Sequence, residues 1–227
     1  SVQFGEPVFG VIIKAFPFTI TLTLLSVTVG TLIGLGIGIL TAVKRGTWID
    51  GVSIVVVVFF YSIPSFWLGL VLILIFAVGL RVLPVQGSST WQHFVLPVTT
   101  LAIGQSALIA RLTRTNMVET LGAAFIQTAR SKGLSERNVV FRHALKNTLI
   151  PIVTIVGLSV GGLLGGAVIT ENIFGLPGVG RLAIEAIVGR DYPMIQGTVL
   201  LVAITFVFVN LITDIIYVYV DPRIRYD

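Results

Sequence analysis

The sequence of 227 residues contains no cysteine and only two histidines, His93 and His143. Disulfide bonds, a thiolate metal site and a cysteine nucleophile are therefore excluded, and two histidines cannot form a histidine cluster for a metal. The sequence also lacks the Gly-x-x-x-x-Gly-Lys-Ser/Thr pattern of a phosphate-binding loop. We therefore expect no metal site and no catalytic set in this chain, and a membrane-embedded enzyme is disfavoured.

Charge is scarce as well, since 11% of the residues are charged, against roughly 25% in a typical soluble domain. Apolar residues make up 55% of the chain, and the mean hydropathy is +1.01. About 20 mainly apolar residues allow a helix to cross a bilayer. We therefore predict an all-α integral membrane protein with one transmembrane domain over residues 1–227. The five predicted spans are 16–43, 51–80, 94–111, 149–169 and 195–220. Pro64 and Pro97 predict kinks, because proline removes a backbone hydrogen bond.

The basic residues orient these spans, because cytoplasmic loops are enriched in Lys and Arg. With Ser1 outside, eleven basic residues face the cytoplasm and four face outward. The cytoplasmic set is Lys44, Arg45, Arg111, Arg114, Arg130, Lys132, Arg137, Arg142, Lys146, Arg223 and Arg225. The outer set is Lys14, Arg81, Arg181 and Arg190. Because the basic residues are spread over loops, a nucleic-acid partner is not predicted. An outer N-terminus without an export signal predicts a crossing upstream of Ser1. Insertion through the first hairpin is the alternative.

A long basic loop, residues 112–148, joins the third and fourth spans. Its Gly133 predicts the end of one helix, because glycine adopts turn geometry at low cost. Ser135 is a good N-cap for the next helix, and Glu136 would lie near its positive end. Two short amphipathic helices are therefore predicted. Their apolar faces would hold Phe125, Ile126 and Ala129 before the glycine, and Val139, Val140, His143 and Ala144 after it. A docking knob and a pair of helices lying at the headgroups are equally favoured by these residues.

Two segments of this loop resemble the permease subunits of ABC importers, in the branch that carries dipeptides, oligopeptides, nickel and glutathione. They read Thr-Ala-Arg-Ser-Lys-Gly-Leu at 128–134 and Arg-His-Ala-Leu-Lys-Asn at 142–147. Further similarity lies at Pro151, 174–181, 190–193 and 221–225, so the resemblance covers essentially the whole chain. The general family pattern has a Leu-Pro pair where this chain has Leu145 and Lys146, which is a departure.

The resemblance implies a type I ABC importer permease bundle in the bacterial cytoplasmic (inner) membrane, crossing it several times. Such a subunit would form half of a translocation pore with a sister permease. It would receive its substrate from an extracytoplasmic substrate-binding protein and be driven by cytoplasmic ABC ATPases. ATP and Mg would be bound by those ATPases, with no cofactor on this chain. Loop 112–148 would then be the ATPase-coupling loop. The residues assigned to it are Gln127, Thr128, Ala129, Arg130, Lys132, Gly133, Leu134, Ser135, Glu136, Arg137 and His143.

Two spans carry small residues at a spacing of four, which places each set on one helix face and allows close helix packing. The sets are Gly30, Gly34 and Gly38, and Gly157, Gly161 and Gly165. The outer segment, residues 172–194, follows the second set. In it Pro177, Gly178 and Arg181, together with the preceding Glu171, are candidates for a gate or an outer docking surface. A carboxylate near the outer interface is also compatible with a purely structural role.

The favoured function is an ATP-driven importer for peptides or a related small solute. The alternative is an ion-coupled secondary transporter, which uses intramembrane carboxylates or broken helices. Few charged residues lie at mid-span, which argues against it, and Glu171 is the residue that keeps it open.

Overall fold

The computed structural model describes the backbone of residues 5–220, with the side chains of 165, 166 and 217–220 outside the description. The α-helices of the described part are α1 Val8–Val43, α2 Trp48–Ser62, α3 Ser65–Leu72, α4 Gln92–Leu121, α5 Ala124–Ser131, α6 Glu136–Asn138, α7 Leu145–Ile173, α8 Val179–Val188 and α9 Tyr192–Val220. Two π-helical segments, Ile73–Gly79 and Val139–Ala144, extend α3 and join α6 to α7. The all-α prediction is confirmed. The similar segment 221–225 lies outside the described residues.

Four of the five predicted crossings correspond to single helices. Within residues 5–220, four helices are long and apolar enough to cross a membrane, and the bent pair α2–α3 adds a fifth if it counts as one span. The helix of the third predicted span, α4, is longer than predicted, since it continues past Arg111 to Leu121. No glycine or proline interrupts residues 112–121, and Thr113 and Met117 are buried there. The helix ends where Gly122 follows.

The second span is not one helix as predicted. Helices α2 and α3 meet at an angle of 98°, with Ile63 and Pro64 between them in extended conformations. Proline has no N–H to donate and disfavours the helical region for the preceding residue, so the break falls where Pro64 lies. Pro97, in contrast, lies inside α4, which continues past it.

Helices α1 and α4 pack closely and run in the same direction. A Cβ atom added to Gly30 would lie 2.7 Å from Cβ of Gln105, and one added to Gly34 would lie 2.7 Å from Cβ of Ile109. Gly38 faces Thr113 in the same way, one turn further along. The glycine face of α1 therefore lets the two backbones approach closely.

The second glycine set lies on α7, which packs against α9 in the opposite direction. Gly157 faces Thr213, and a Cβ added to Gly161 would lie 2.9 Å from the ring of Phe206. Gly165 is in α7, but its surroundings lie outside the described side chains. Because Gly157 and Gly161 have no side chains, α7 and α9 can approach each other closely, as α1 and α4 do at the glycine face of α1.

Candidate coupling surface and outer latch

The turn at Gly133 separates α5 from α6. Gly133 has a φ of +77° and no neighbour within 4 Å of an added Cβ atom. The glycine is needed there for its backbone conformation and not for space, because side chains make this region of φ costly. The turn is closed by the N–H of Gly133, which donates to the carbonyl of Arg130 at 2.9 Å, and by that of Leu134, which donates to Ala129 at 3.3 Å. Ser135 precedes α6, but its hydroxyl makes no capping hydrogen bond.

An ion pair bridges the Gly133 turn. Nε of Arg130 donates to Oε1 of Glu136 at 2.7 Å, and Nη2 donates to Oε2 at 3.2 Å. The carboxylate of Glu136 raises the pKa of Arg130 above its ordinary value. Both side chains are exposed, so the pair links α5 to α6 across the turn while both groups stay in contact with water. The sequence predicted Glu136 near a helix N-terminus. The structure adds that its carboxylate pairs with Arg130 across the turn.

One face of the coupling loop is anchored in an apolar cluster, which we call the cytoplasmic cluster. Its buried residues come from the loop and from the ends of α1 and α4 that are predicted to be cytoplasmic: Ala42, Met117, Ile126, Ala129, Val139, Val140 and Ala144. Ile126 and Val139 are fully buried. The prediction for Phe125 was wrong, since 47% of this residue is exposed. Helix α5 buries Ile126 and Ala129, one turn apart, and Phe125 lies outside that contact.

The opposite face of the loop is open and combines charge with apolar side chains. Phe125, Leu134 and Phe141 are exposed by 47%, 38% and 55%. His143 is half-buried and Ala129 is buried. The other predicted loop residues are exposed, namely Gln127, Thr128, Arg130, Lys132, Gly133, Leu134, Ser135, Glu136 and Arg137. This coupling surface offers another protein both apolar and charge-assisted contacts.

A second ion pair joins the start of α2 to α4. Nε and Nη2 of Arg114 donate to the two carboxylate oxygens of Asp50 at 2.6 Å and 2.8 Å. The N–H of Gly46 also donates to Asp50, at 3.1 Å. Asp50 is buried, the only residue of α2 in that class. The pair therefore fixes the start of α2 to the helix that leads into the coupling loop.

Glu171 lies at the opposite end of the bundle, where the outer segment begins. It is fully buried. The hydroxyl of Thr19 donates to its Oε1 at 2.6 Å, and the N–H of Arg181 donates to Oε2 at 3.1 Å. The same hydroxyl accepts from the N–H of Val179 at 2.8 Å. Thr19, Glu171 and the N-terminus of α8 thus form a closed network, which we call the outer latch. An N-terminal helix end stabilises negative charge.

Two glycines make the latch possible. A side chain on Gly178 would collide with the carboxyl group of Glu171, and a Cβ on Gly180 would lie 2.6 Å from Cα of Val168. The Arg181 side chain points elsewhere, because Nη1 donates to the carbonyl of Gly175 at 2.9 Å and Nε donates to Glu185 at 2.8 Å. Pro177 is exposed. Of the four predicted gate residues, Glu171, Gly178 and the backbone of Arg181 meet in the latch.

The family follows from a match over most of the chain. Residues 34–226 match the model of a family described as binding-protein-dependent transport system inner membrane components. The chain belongs to this family. It is a multi-pass permease of the bacterial inner membrane and the membrane subunit of an ATP-driven importer, and the ion-coupled alternative is set aside.

The permease has close relatives among glutathione transporters. It is 42% identical over 221 residues to the glutathione transport system permease protein GsiC of Escherichia coli K12. The match covers 97% of this chain and 72% of the relative. The corresponding protein of Salmonella choleraesuis is 43% identical over the same shares of both chains. These relatives place the permease in the branch that the sequence predicted.

Solved structures show the same fold. A chain of the methionine ABC transporter MetNI, in an inward-facing conformation, superposes with a TM-score of 0.81 at 21% identity, covering 96% of the permease and all of that chain. A chain of an amino acid ABC transporter gives a TM-score of 0.68 at 22% identity, covering 95% of each. The predicted type I importer fold is thus confirmed.

Sequence reasoning missed the Asp50–Arg114 ion pair and the partner of Glu171 in the latch. Arg114 was counted only as a basic residue that orients the spans, and neither Asp50 nor Thr19 was singled out. An acid in the first turn after a cytoplasmic loop was a signal that could have pointed to Asp50, since a carboxylate at a span end needs a partner. Thr19 carried no signal of its own.

Proposed function

We propose that the permease forms half of the translocation pathway of an importer for glutathione or a similar short peptide, with the coupling surface as the site where a cytoplasmic ATPase docks. The substrate class is supported by the 42% identity to a glutathione permease. The docking role is supported by the exposed Phe125, Leu134 and Phe141 beside charged side chains. Outside a bilayer, such an apolar group is expected to be covered by a partner.

The cytoplasmic cluster gives the docked ATPase a mechanical link to the bundle. Ile126 and Val139 pack with Met117 of α4 and Ala42 of α1. Protein interiors are closely packed and deform little, so a displacement of the loop is passed to its neighbours. Helix α4 continues from the span to Leu121 without a break, and α1 packs on it through its glycine face. A movement of the coupling loop would therefore shift α1 and α4 together.

The other components are proposed from the family to which the chain belongs. A sister permease completes the pore, and an extracytoplasmic binding protein delivers the substrate to the outer face. ATP and Mg are held by the ATPase subunits, and this chain binds no cofactor and has no ATPase site. The outer latch serves as the gate element, because it ties α8 to α1 and α7 through a single buried carboxylate. Opening the outer face would separate Thr19 from Glu171.

The test compares coupling with assembly. Gly133→Val forces a β-branched residue to a positive φ, and Arg137→Glu places a second acid beside Glu136 on the coupling surface. Both variants should reach the membrane and assemble with the sister permease, and both should lose ATP-driven glutathione uptake in proteoliposomes. Gly133→Val should also weaken association with the ATPase.

The matched control is Gly5→Val. Gly5 has a φ of +64° and, like Gly133, no neighbour within 4 Å of an added Cβ. It lies just before the start of α1, outside the coupling loop. This variant should associate with the ATPase as wild type does. Normal uptake by both loop variants at wild-type protein levels would return the loop to a pair of interfacial helices. Uptake driven by an ion gradient without ATP would contradict the importer function itself.

A further inference from the structure

A cleft with a volume of about 440 Å³ opens between the first turns of α1 and the start of α8. Clefts that bind small molecules typically have volumes of roughly 300–1,000 Å³. Four charged side chains line this cleft, two of each sign: Glu6, Lys14, Arg181 and Glu185. Lys14 and Arg181 are half of the four basic residues assigned to the outer side. The charges on the wall sum to zero, which suits a ligand that carries both positive and negative charges.

We propose that this cleft binds the charged ends of the transported peptide on the outer face of the permease. The free carboxylates of the ligand contact Lys14 and Arg181, and its ammonium group contacts Glu6 and Glu185. This proposal rests on the proposed function, since it assigns a site to the same short-peptide substrate.

The basic side chains have donors to spare. Nζ of Lys14 donates to Glu6 at 3.2 Å, which uses one of three N–H groups. Arg181 uses two of its five N–H groups, one on Glu185 and one on the carbonyl of Gly175. Among the described contacts, the other N–H groups remain available to a ligand. The side chain of Lys14 is 73% exposed, so its ion pair with Glu6 is weakly held and a ligand carboxylate can join it.

The remaining wall suits the rest of a short peptide. Val11, Phe18 and Leu182 supply apolar surface beside the charged groups. The N-terminus of α8 does not supply the anion site, because the N–H groups of Val179 and Arg181 are already bonded to Thr19 and Glu171. Recognition of the carboxylates therefore falls to the side chains of Lys14 and Arg181.

Gly178 also lies in the wall, and the carboxyl group of Glu171 is directly behind it, where an added side chain would collide. The backbone of Gly178 therefore lies between the cleft and the outer latch. A ligand bound in the cleft would thus affect the contact between Thr19 and Glu171.

The experiment measures equilibrium binding of radiolabelled glutathione to the assembled transporter in nanodiscs, without the binding protein. Wild type should bind saturably. Lys14→Gln should weaken binding about three- to tenfold, because one exposed, charge-assisted contact is lost. Arg81→Gln, which removes an outer positive charge that does not line the cleft, should bind as wild type does.

A second ligand separates the charge contact from a general effect on folding. Glutathione with both carboxylates amidated should bind more weakly than glutathione, and it should not distinguish wild type from Lys14→Gln. Equal binding of the two ligands, equal weakening by Arg81→Gln, or no saturable binding would overturn the cleft assignment. If wild type still imports glutathione with ATP and the binding protein in those cases, the proposed function stands. If wild type does not import glutathione with ATP and the binding protein, the proposed function is overturned.

Discussion

Arg114 of α4 holds Asp50 of α2 with two parallel hydrogen bonds of 2.6 Å and 2.8 Å. The two residues are 64 positions apart, and the pair lies at the start of α2, a helix that is otherwise largely exposed. Bidentate pairs of this kind have a fixed geometry and strong hydrogen bonds. The pair therefore sets the position of α2 beside the helix that carries the coupling loop.

Removal of one partner of this pair should be more harmful than removal of an exposed pair. Arg114→Gln leaves a buried carboxylate without its counter-charge, which is costly. Each hydrogen bond to a charged group contributes about 1.5–3 kcal/mol. We expect a clear fall in the midpoint of thermal unfolding of the purified transporter. Glu136→Gln, which breaks the exposed pair with Arg130, should change that midpoint little. Equal effects of the two variants would contradict the role given to Asp50.

The hydroxyl of Thr19 should control the stability of α8. Thr19→Val removes both the donor to Glu171 and the acceptor for the N–H of Val179. A buried polar group without its partner costs about 1–3 kcal/mol. Hydrogen exchange of the amides in residues 176–188 should therefore be faster in this variant. Thr19→Ser keeps the hydroxyl and should exchange as wild type does. Unchanged exchange in Thr19→Val would show that the latch does not hold α8.

The glycine face of α1 can be tested with two residues that are two positions apart. A Cβ on Gly34 would lie 2.7 Å from Cβ of Ile109, whereas one on Gly36 would meet no atom within 4 Å. Gly34→Ala should destabilise the permease by about 1–3 kcal/mol through overpacking. Gly36→Ala should be neutral or stabilising by up to about 1 kcal/mol, because alanine favours the helix. Thermal unfolding would measure both, and a loss in Gly36→Ala equal to that in Gly34→Ala would argue against close α1–α4 contact.

The orientation of the permease can be read with single cysteines, because the sequence contains none. Ser135 in the coupling loop and Ser89 before α4 are both exposed. Ser135→Cys should react with a membrane-impermeant maleimide only in cells whose membrane has been permeabilised. Ser89→Cys should react with the same reagent in intact cells. The reverse pattern would place the coupling loop outside and remove its proposed contact with an ATPase.

The sequence by itself determined the all-α class, the apolar segments long enough to cross the membrane and the turn at Gly133. These features depend on local properties: the length of an apolar run sets a crossing, and one residue type tolerates a positive φ. The break in the second span also has a local cause in Pro64, although only the structure showed that α2 and α3 diverge by 98°. Phe125 was misplaced because helical periodicity places neighbouring residues on a broad face, and packing selects only part of it.

Contacts between distant residues were decided by the tertiary structure alone. Thr19 and Glu171 are 152 positions apart, and the outer cleft joins residues near 6–18 with residues 177–185. Nothing in the identity of Thr19 distinguishes it from the other threonines of α1. Its role arises because α1 packs beside α7 and α8 at a depth where a hydroxyl can reach both a buried carboxylate and a helix N-terminus. Which polar groups meet inside a bundle depends on how its helices are placed, and that placement is a property of the whole chain.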